Sequence, residues 1–311
     1  MTGPSGVGAR PGVVVAIFGP TASGKSAVAE AIVRRLPAEI VSADAMQVYR
    51  GLPILTNQPD EPTRLVAIWP LSQEASVGAY APLAHAAVDE VLAGGRTPLV
   101  VGGTGLYLRA ALADLEVPPP VAPDARLRLE RLYEELGPQG AHALLAERDP
   151  GAAASVHPND RRRVVRALEL SEAGSSLRPA YDRLWSDRCR RPTVIVGLEL
   201  PRVTLEARVV QRTCEMFERG VEAEVDAALA SPISSTARHV IGLQEVAELA
   251  RPEAEAAIVR RTLQYAAYQR KWLRRIPGAV GVDADREPEE IADEVLEVAR
   301  ARQRLPAGRA G

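Results

Sequence analysis

The sequence predicts an α/β fold, a parallel sheet core interrupted by an inserted helical domain, on three observations. Short β-branched runs alternate with helical stretches over the first hundred residues, the pattern of a parallel sheet covered by helices. A proline-rich break at Val117–Pro123 opens a stretch with no strand pattern as far as Arg191. A strand pattern, TVIVGLEL, then resumes within Pro192–Leu200.

Taken in order, Met1–Gly12 is rich in Gly, Pro and Ser and reads as a disordered tail. The apolar run after it is too short for a signal segment and leads straight into a glycine loop. Val13–Phe18, Glu39–Ser42 and Pro98–Val101 read as buried strands, with Ser26–Leu36 and Ala81–Leu92 as the helices between them. Beyond the proline break, Asp124 is placed to cap a helix whose apolar positions Leu129, Leu132, Tyr133 and Leu136 recur at helical spacing. After the returning strand come helices, one long and beginning near Pro252, a strand at Ala279–Val282 and a terminal helix at Pro288–Arg302. The expected organisation is a core of residues 13–116 and 192–311, with an inserted helical domain at 117–191.

Composition removes several functions. The chain has 311 residues, 46% apolar and 25% charged, with a net charge of −2. Its apolar runs fall far short of the ~20 residues a membrane span needs. Cys189 and Cys214 form no CxxC pattern and the four histidines show no ligand spacing, which argues against zinc and for a reducing, cytoplasmic setting. All but two of the 38 basic residues are arginine, the exceptions being Lys25 and Lys271.

Lys25 stands in the most informative segment. Gly19-Pro20-Thr21-Ala22-Ser23-Gly24-Lys25-Ser26 follows a strand and opens a helix, with the spacing GxxxxGK[ST]. Glycines let such a loop curl so that backbone N–H groups point at phosphate oxygens, and the helix N-terminus adds positive charge. Lys25 supplies a point charge to a di- or triphosphate, and Ser26 a hydroxyl to Mg²⁺. The core is therefore expected to be P-loop NTPase-like. The strand Pro98–Val101 ends in Gly102-Gly103-Thr104-Gly105 without an acid, whereas Asp44 follows the second strand. Asp44 could organise a metal, act as a general base or cap a helix.

Five segments carry a resemblance. GPTASGKS at Gly19–Ser26, SADAMQVYRGLPI at Ser42–Ile54, VVGGTGLYLRAAL at Val100–Leu112, HPNDRRRVVRALEL at His157–Leu170 and QYAAYQRKWLR at Gln264–Arg274 resemble the bacterial tRNA dimethylallyltransferases. The resemblance runs in order from about Val13 to Ile276. It implies transfer of a dimethylallyl group from dimethylallyl diphosphate to N6 of the adenosine just 3′ of the anticodon, with release of diphosphate.

By the same resemblance Asp44 matches the general base, and Thr21 contacts both the leaving group and the nucleophile. Gly19, Pro20, Thr21, Ala22, Ser23, Gly24, Lys25, Ser26 and Arg212 match the diphosphate site. Asp44, Ala45, Met46, Gln47 and Thr104 match contacts to the flipped nucleotide. Arg126, Arg162, Arg163, Val164, Val165 and Arg166, together with Gln264, Tyr268 and Lys271, match the segments that hold the anticodon stem-loop.

The residues agree with an RNA partner. Arg260, Gln264, Tyr268, Lys271 and Arg275 recur at spacings of four and three, one helical face, with Val259, Leu263, Ala266 and Leu273 opposite. Three segments depart from the family pattern. Ala67-Ile68-Trp69 replaces a paired-histidine segment, Gln58 replaces a lysine, and Ala267-Tyr268-Gln269 replaces a run with two cations. The expectation is a cytoplasmic monomer using Mg²⁺. A phosphate loop is also compatible with a small-molecule kinase, with a prenyltransferase acting on free AMP, or with RNA binding without catalysis.

Overall fold

The structure, a computed structural model, describes residues 12–61, 63–115, 123–177 and 183–304. The tail 1–11 and most of the Val117–Pro123 break lie outside them. In chain order the elements are β1 (Val14–Phe18), α1 (Lys25–Val33), β2 (Ala38–Ser42), α2 (Val77–Ala93), β3 (Thr97–Gly102), α3 (Gly105–Leu112), α4 (Pro123–Arg148), α5 (Pro150–Ala153), α6 (Arg161–Glu172), β4 (Thr193–Glu199), α7 (Arg202–Glu218), α8 (Val221–Leu229), α9 (Leu243–Glu248), α10 (Arg251–Leu273), β5 (Val280–Asp283) and α11 (Pro288–Arg304). No helix among the described residues is long and apolar enough to cross a membrane.

The chain divides into two compact units, residues 1–114 with 187–311, and residues 115–186. In the larger unit the strands form one five-stranded sheet in the order β2-β3-β1-β4-β5, and every neighbouring pair is parallel. All carboxyl ends therefore share one edge, where loops of an open parallel sheet gather ligands. β1 is central and fully buried, with Phe18 in register with Gly102 on β3 and Gly197 on β4. Val15, Ile17, Leu99, Val196 and Leu198 pack with Val28 and Ile32 of α1 and with Ile291 and Val295 of α11. Arg34 and Arg35 add ion pairs to Glu289 and Asp293, at 2.7 and 2.9 Å.

The return to the core comes earlier than the predicted Pro192. Residues 187–191 belong with the sheet, because Arg190 pairs with Asp89 and Asp114, each at 3.1 Å, and Arg191 with Asp89 at 2.9 Å.

The long segment between β2 and α2 has little regular structure yet is firmly tied. Tyr49 and Trp69 form a parallel bridge. The Glu224 carboxylate on α8 accepts the N–H groups of Ile54 at 2.7 Å and Leu55 at 2.8 Å. Burial raises the Glu224 pKa, partly offset by these two bonds. Glu224→Ala leaves both amides without their acceptor, and a loss of about 1–3 kcal/mol is expected. Thermal melting reads the loss, and faster hydrogen exchange at Ile54 and Leu55 localises it.

The smaller unit is helical. Leu129, Tyr133, Leu145, Val164, Val165 and Leu168 form its core. Asp124 lies inside the first turn of α4 rather than capping it. Leu132 is half-buried and Leu136 exposed, because the helix breaks at Gly137, with φ 68° and ψ 172°, immediately before Pro138.

Candidate active site

The phosphate loop leaves the carboxyl end of β1. Its tight curl requires left-handed backbone at Gly24, φ 84°, and at Ala22, φ 62°. Gly19 is set by close approach, since a Cβ there would lie 2.7 Å from Ser23 Oγ. Lys25 folds back over the loop, its Nζ donating to the Pro20 carbonyl at 2.7 Å. Ser26, next on α1, is exposed.

Arg212 reaches this loop from α7, with Nη1 donating to Thr21 Oγ1 at 3.4 Å. Ser23 Oγ and Arg212 Nε are buried without a hydrogen-bond partner. Both lie beside one loop, whereas buried polar atoms are almost always paired. Burial lowers the Lys25 pKa to about 8, with the Asp44 charge opposing the fall and Arg212 adding to it. Burial also lowers the Arg212 pKa, again against the pull of Asp44.

Asp44 thus stands where both cations feel it. Its Oδ1 accepts the Met46 N–H at 2.9 Å, but residues 45–48 form turns and start no helix. The capping alternative is thereby removed. Burial raises the pKa values of Tyr80 and Tyr265, and the Asp44 charge adds to both, after Tyr107 in the case of Tyr80. Thr104 Oγ1 accepts the Ala45 N–H at 3.1 Å and lies 3.3 Å from the Tyr265 hydroxyl. Gln47 is spent internally. Its Oε1 accepts from Ser42 Oγ at 2.9 Å and its Nε2 donates to the Asn57 carbonyl at 2.8 Å. Met46 and Ala45 are half-buried beside it.

The loop after β3 is glycine-rich because its neighbours come within backbone distance. A Cβ at Gly102 would lie 2.1 Å from the Ala43 carbonyl oxygen, one at Gly103 2.2 Å from Gln269 Nε2, and one at Gly105 2.2 Å from the Trp272 ring. Gly105→Ala is expected to displace Trp272 and cost about 1–3 kcal/mol, read as a lowered melting temperature with altered tryptophan emission.

On α10 the stripe Arg260, Gln264, Tyr268 and Lys271 is exposed, as is Arg275 beyond the helix end. Tyr268 meets Trp272 edge-on, ring centroids 6.4 Å apart. The inward face differs from the expected one. Ala266 and Leu273 are buried, but Val259 and Leu263 are only half-buried, and Ala254, Ala257, Ile258 and Gln269 complete the packed face.

In the helical unit Arg162 and Arg163 are exposed on α6, whose N-cap Asp160 accepts the Arg163 N–H at 3.1 Å. Val164 and Val165 correct the expectation. At 0% and 2% exposure their side chains belong to the unit's core and cannot meet RNA. Arg166 is half-buried and pairs with Glu169 at 3.0 Å. Arg126 pairs with Glu130 at 3.2 Å and lies 3.9 Å from Glu169.

A family model described as IPP transferase matches residues 47–276, most of the chain, and one described as Isopentenyl transferase matches residues 12–63. The chain belongs to the IPP transferase family. A tRNA dimethylallyltransferase of Salinispora arenicola is 41% identical over 286 residues, which cover 88% of this chain and 83% of that protein. Another, of Kineococcus radiotolerans, is 40% identical over 306 residues, covering 92% and 96%. A crystal structure of a tRNA isopentenylpyrophosphate transferase from Bacillus halodurans is 30% identical with a TM-score of 0.65, covering 94% of this chain and all of that one. A eukaryotic dimethylallyltransferase acting on tRNA, 24% identical, shares the fold with a TM-score of 0.76, covering 96% and 82%.

Within this IPP transferase the departures from the family pattern have structural work. Gln58 Nε2 donates to the Tyr49 carbonyl at 2.7 Å. Arg50 donates to the carbonyls of Ala67 and Ile68 at 2.9 and 2.8 Å, and Trp69 is buried. These bonds hold the segment that follows Asp44. Sequence reasoning missed Tyr265, Gln269 and Trp272 as site residues. The signal was available in helical phase, since each lies one position after a member of the exposed stripe and so turns about 100° away from it.

Proposed function

We propose that the chain transfers the dimethylallyl group of dimethylallyl diphosphate to N6 of the adenosine immediately 3′ of the anticodon in tRNA, releasing diphosphate. One observation carries this reading beyond the family membership. The Asp44 carboxylate acts electrostatically on Lys25 of the phosphate loop and on Arg212, which reaches that loop from α7. That is a base beside an anion cradle, the pairing a prenyl transfer from a diphosphate ester requires.

The adenine amino group is a weak nucleophile because its lone pair is delocalised into the ring. As N6 bonds to the allylic carbon, the carbon–oxygen bond breaks and its electrons leave with the diphosphate. The N6 proton passes to Asp44, a general-base contribution of about 10²- to 10⁴-fold. Lys25, Arg212 and the loop amides of Gly19–Ser26 stabilise the charge gathering on the leaving group. Thr21 contacts that group through a hydroxyl already held by Arg212.

Magnesium suits this site through the chemistry of its donors. Ser26 offers an exposed hydroxyl beside the loop, and Mg²⁺ takes few protein oxygens while keeping waters and phosphate oxygens. When bound it supplies further positive charge to the diphosphate.

The adenosine must leave its stack to react. Asp44, Ala45 and Thr104 surround its proposed position, with Met46 and Gln47 shaping the segment behind. Arg126, Arg162, Arg163 and Arg166 on the helical unit, and Gln264, Tyr268 and Lys271 on α10, are proposed to hold the anticodon stem-loop. The protein acts where mature tRNA is modified, in the cytoplasm, as a monomer.

Protein, Mg²⁺, dimethylallyl diphosphate and an unmodified anticodon stem-loop, followed by mass spectrometry of the RNA, test the proposal. A gain of one dimethylallyl group on the adenosine 3′ of the anticodon is expected. No gain on RNA, with ATP consumed or free AMP prenylated instead, overturns it.

A further inference from the structure

The side-chain amide of Gln269 joins the two loops that would handle opposite ends of the reaction. It is 2% exposed. Its Oε1 accepts the Thr21 N–H of the phosphate loop at 2.8 Å, and its Nε2 donates to the Gly103 carbonyl of the loop after β3 at 2.9 Å. The amide orientation is unique, because exchanging its nitrogen and oxygen would set donor against donor and acceptor against acceptor.

Gln269 does not act alone. Tyr265 and Trp272, four positions before and three after it, lie on the same face of α10. The Tyr265 hydroxyl is 3.3 Å from Thr104 Oγ1, and the Trp272 ring fills the space a Cβ at Gly105 would need. The three residues therefore seat one face of α10 on Gly103, Thr104 and Gly105, with Gln269 extending the seat to Thr21. The adjacent face, one position earlier at each step, is the exposed row Gln264, Tyr268 and Lys271. A small rotation or slide of α10 on loading that row would alter the Gln269 bonds to Thr21 and Gly103. The Thr21 peptide carries the hydroxyl that Arg212 touches, so its orientation bears directly on the diphosphate.

We infer that Gln269 is a positioning residue that couples RNA occupancy of the exposed face of α10 to the geometry of the phosphate loop, so that RNA and diphosphate bind cooperatively. The inference rests on the RNA-modifying reading above and adds to it a residue and a thermodynamic consequence. Cooperativity is a coupling between the two binding equilibria, and it must be reciprocal.

The test titrates the full-length protein with inorganic diphosphate and Mg²⁺, with and without saturating unmodified anticodon stem-loop, by calorimetry. In the wild-type protein RNA is expected to tighten diphosphate binding by about 5-fold or more, the lower end of ordinary allosteric coupling. Gln269→Met, which keeps the length and removes both bonds, is expected to bring that ratio to within about 2-fold of one. Gln269→Glu keeps the acceptor for Thr21 and loses the donor to Gly103, so an intermediate ratio is expected.

A merely structural glutamine would lower the melting temperature and leave the ratio unchanged, and that result overturns the inference. A wild-type protein that prenylates RNA yet shows a ratio of one also overturns it, with no variant needed. A wild-type protein that neither binds the stem-loop nor prenylates it overturns the functional reading, and the coupling falls with it.

Discussion

Asp44→Asn is expected to lower the turnover of dimethylallyl transfer by about 10²- to 10⁴-fold, the range of a positioned general base. The amide keeps the size of the carboxylate and an oxygen able to accept the Met46 N–H, so the turn after β2 survives. What disappears is the acceptor for the N6 proton and the negative charge beside Lys25 and Arg212. The charge has a second effect that separates Asp44 from an ordinary turn residue. It opposes the burial that lowers the Lys25 pKa, so in the variant that pKa falls further. At pH 6.5 diphosphate affinity should be close to wild type or tighter, with a nearby anion removed. At pH 8.5 it should be weaker, because more of the lysine is neutral. Single-turnover kinetics and diphosphate titrations at both values distinguish these outcomes. Unchanged turnover would remove Asp44 from the base role.

The sheet and its phosphate loop were legible because their signals are local. β1, β3 and β4 are apolar, β-branched runs bounded by Gly, Pro or polar residues, and GxxxxGK[ST] between a strand and a helix has few other uses. The return of the chain to the core was less legible. Arg190 and Arg191 look like loop residues until Asp89 is brought beside them from α2. The segment between β2 and α2 is tied by side chain to backbone bonds over long sequence distances, such as those from Glu224, and these leave no periodic trace. Val164 and Val165 were misplaced for a different reason. A matched segment carries every residue in it toward RNA, whereas α6 turns about 100° per residue and sends those two into the core. Gln269 was hidden by its polarity, which suggests solvent until its partners are known to be Thr21 and Gly103.

Lys25 carries the other large effect. Lys25→Met is expected to lower turnover by about 10²- to 10³-fold, the usual cost of removing one donor aimed at developing charge, and to weaken diphosphate binding. The wild-type protein should itself show a pH dependence from this group. With its pKa lowered to about 8, the ligand-free lysine loses its proton as pH rises through that value, and diphosphate affinity falls with it. Arg212, though lowered too, remains charged there, as guanidinium groups do. Lys25→Arg should abolish the pH step while binding more weakly overall, since a planar fork does not fit a seat that presents the Pro20 carbonyl 2.7 Å from a single ammonium. Stability moves in the opposite sense. Between about 8 and the ordinary lysine value of 10.5 the unfolded chain binds the proton that the folded chain has released, so this group's contribution to stability rises with pH. Below about 8 both states are protonated and the folded protein retains a buried ammonium whose natural partner is the diphosphate. Diphosphate should therefore raise the melting temperature more at pH 7 than at pH 9, and a thermal-shift series with and without diphosphate measures that difference directly.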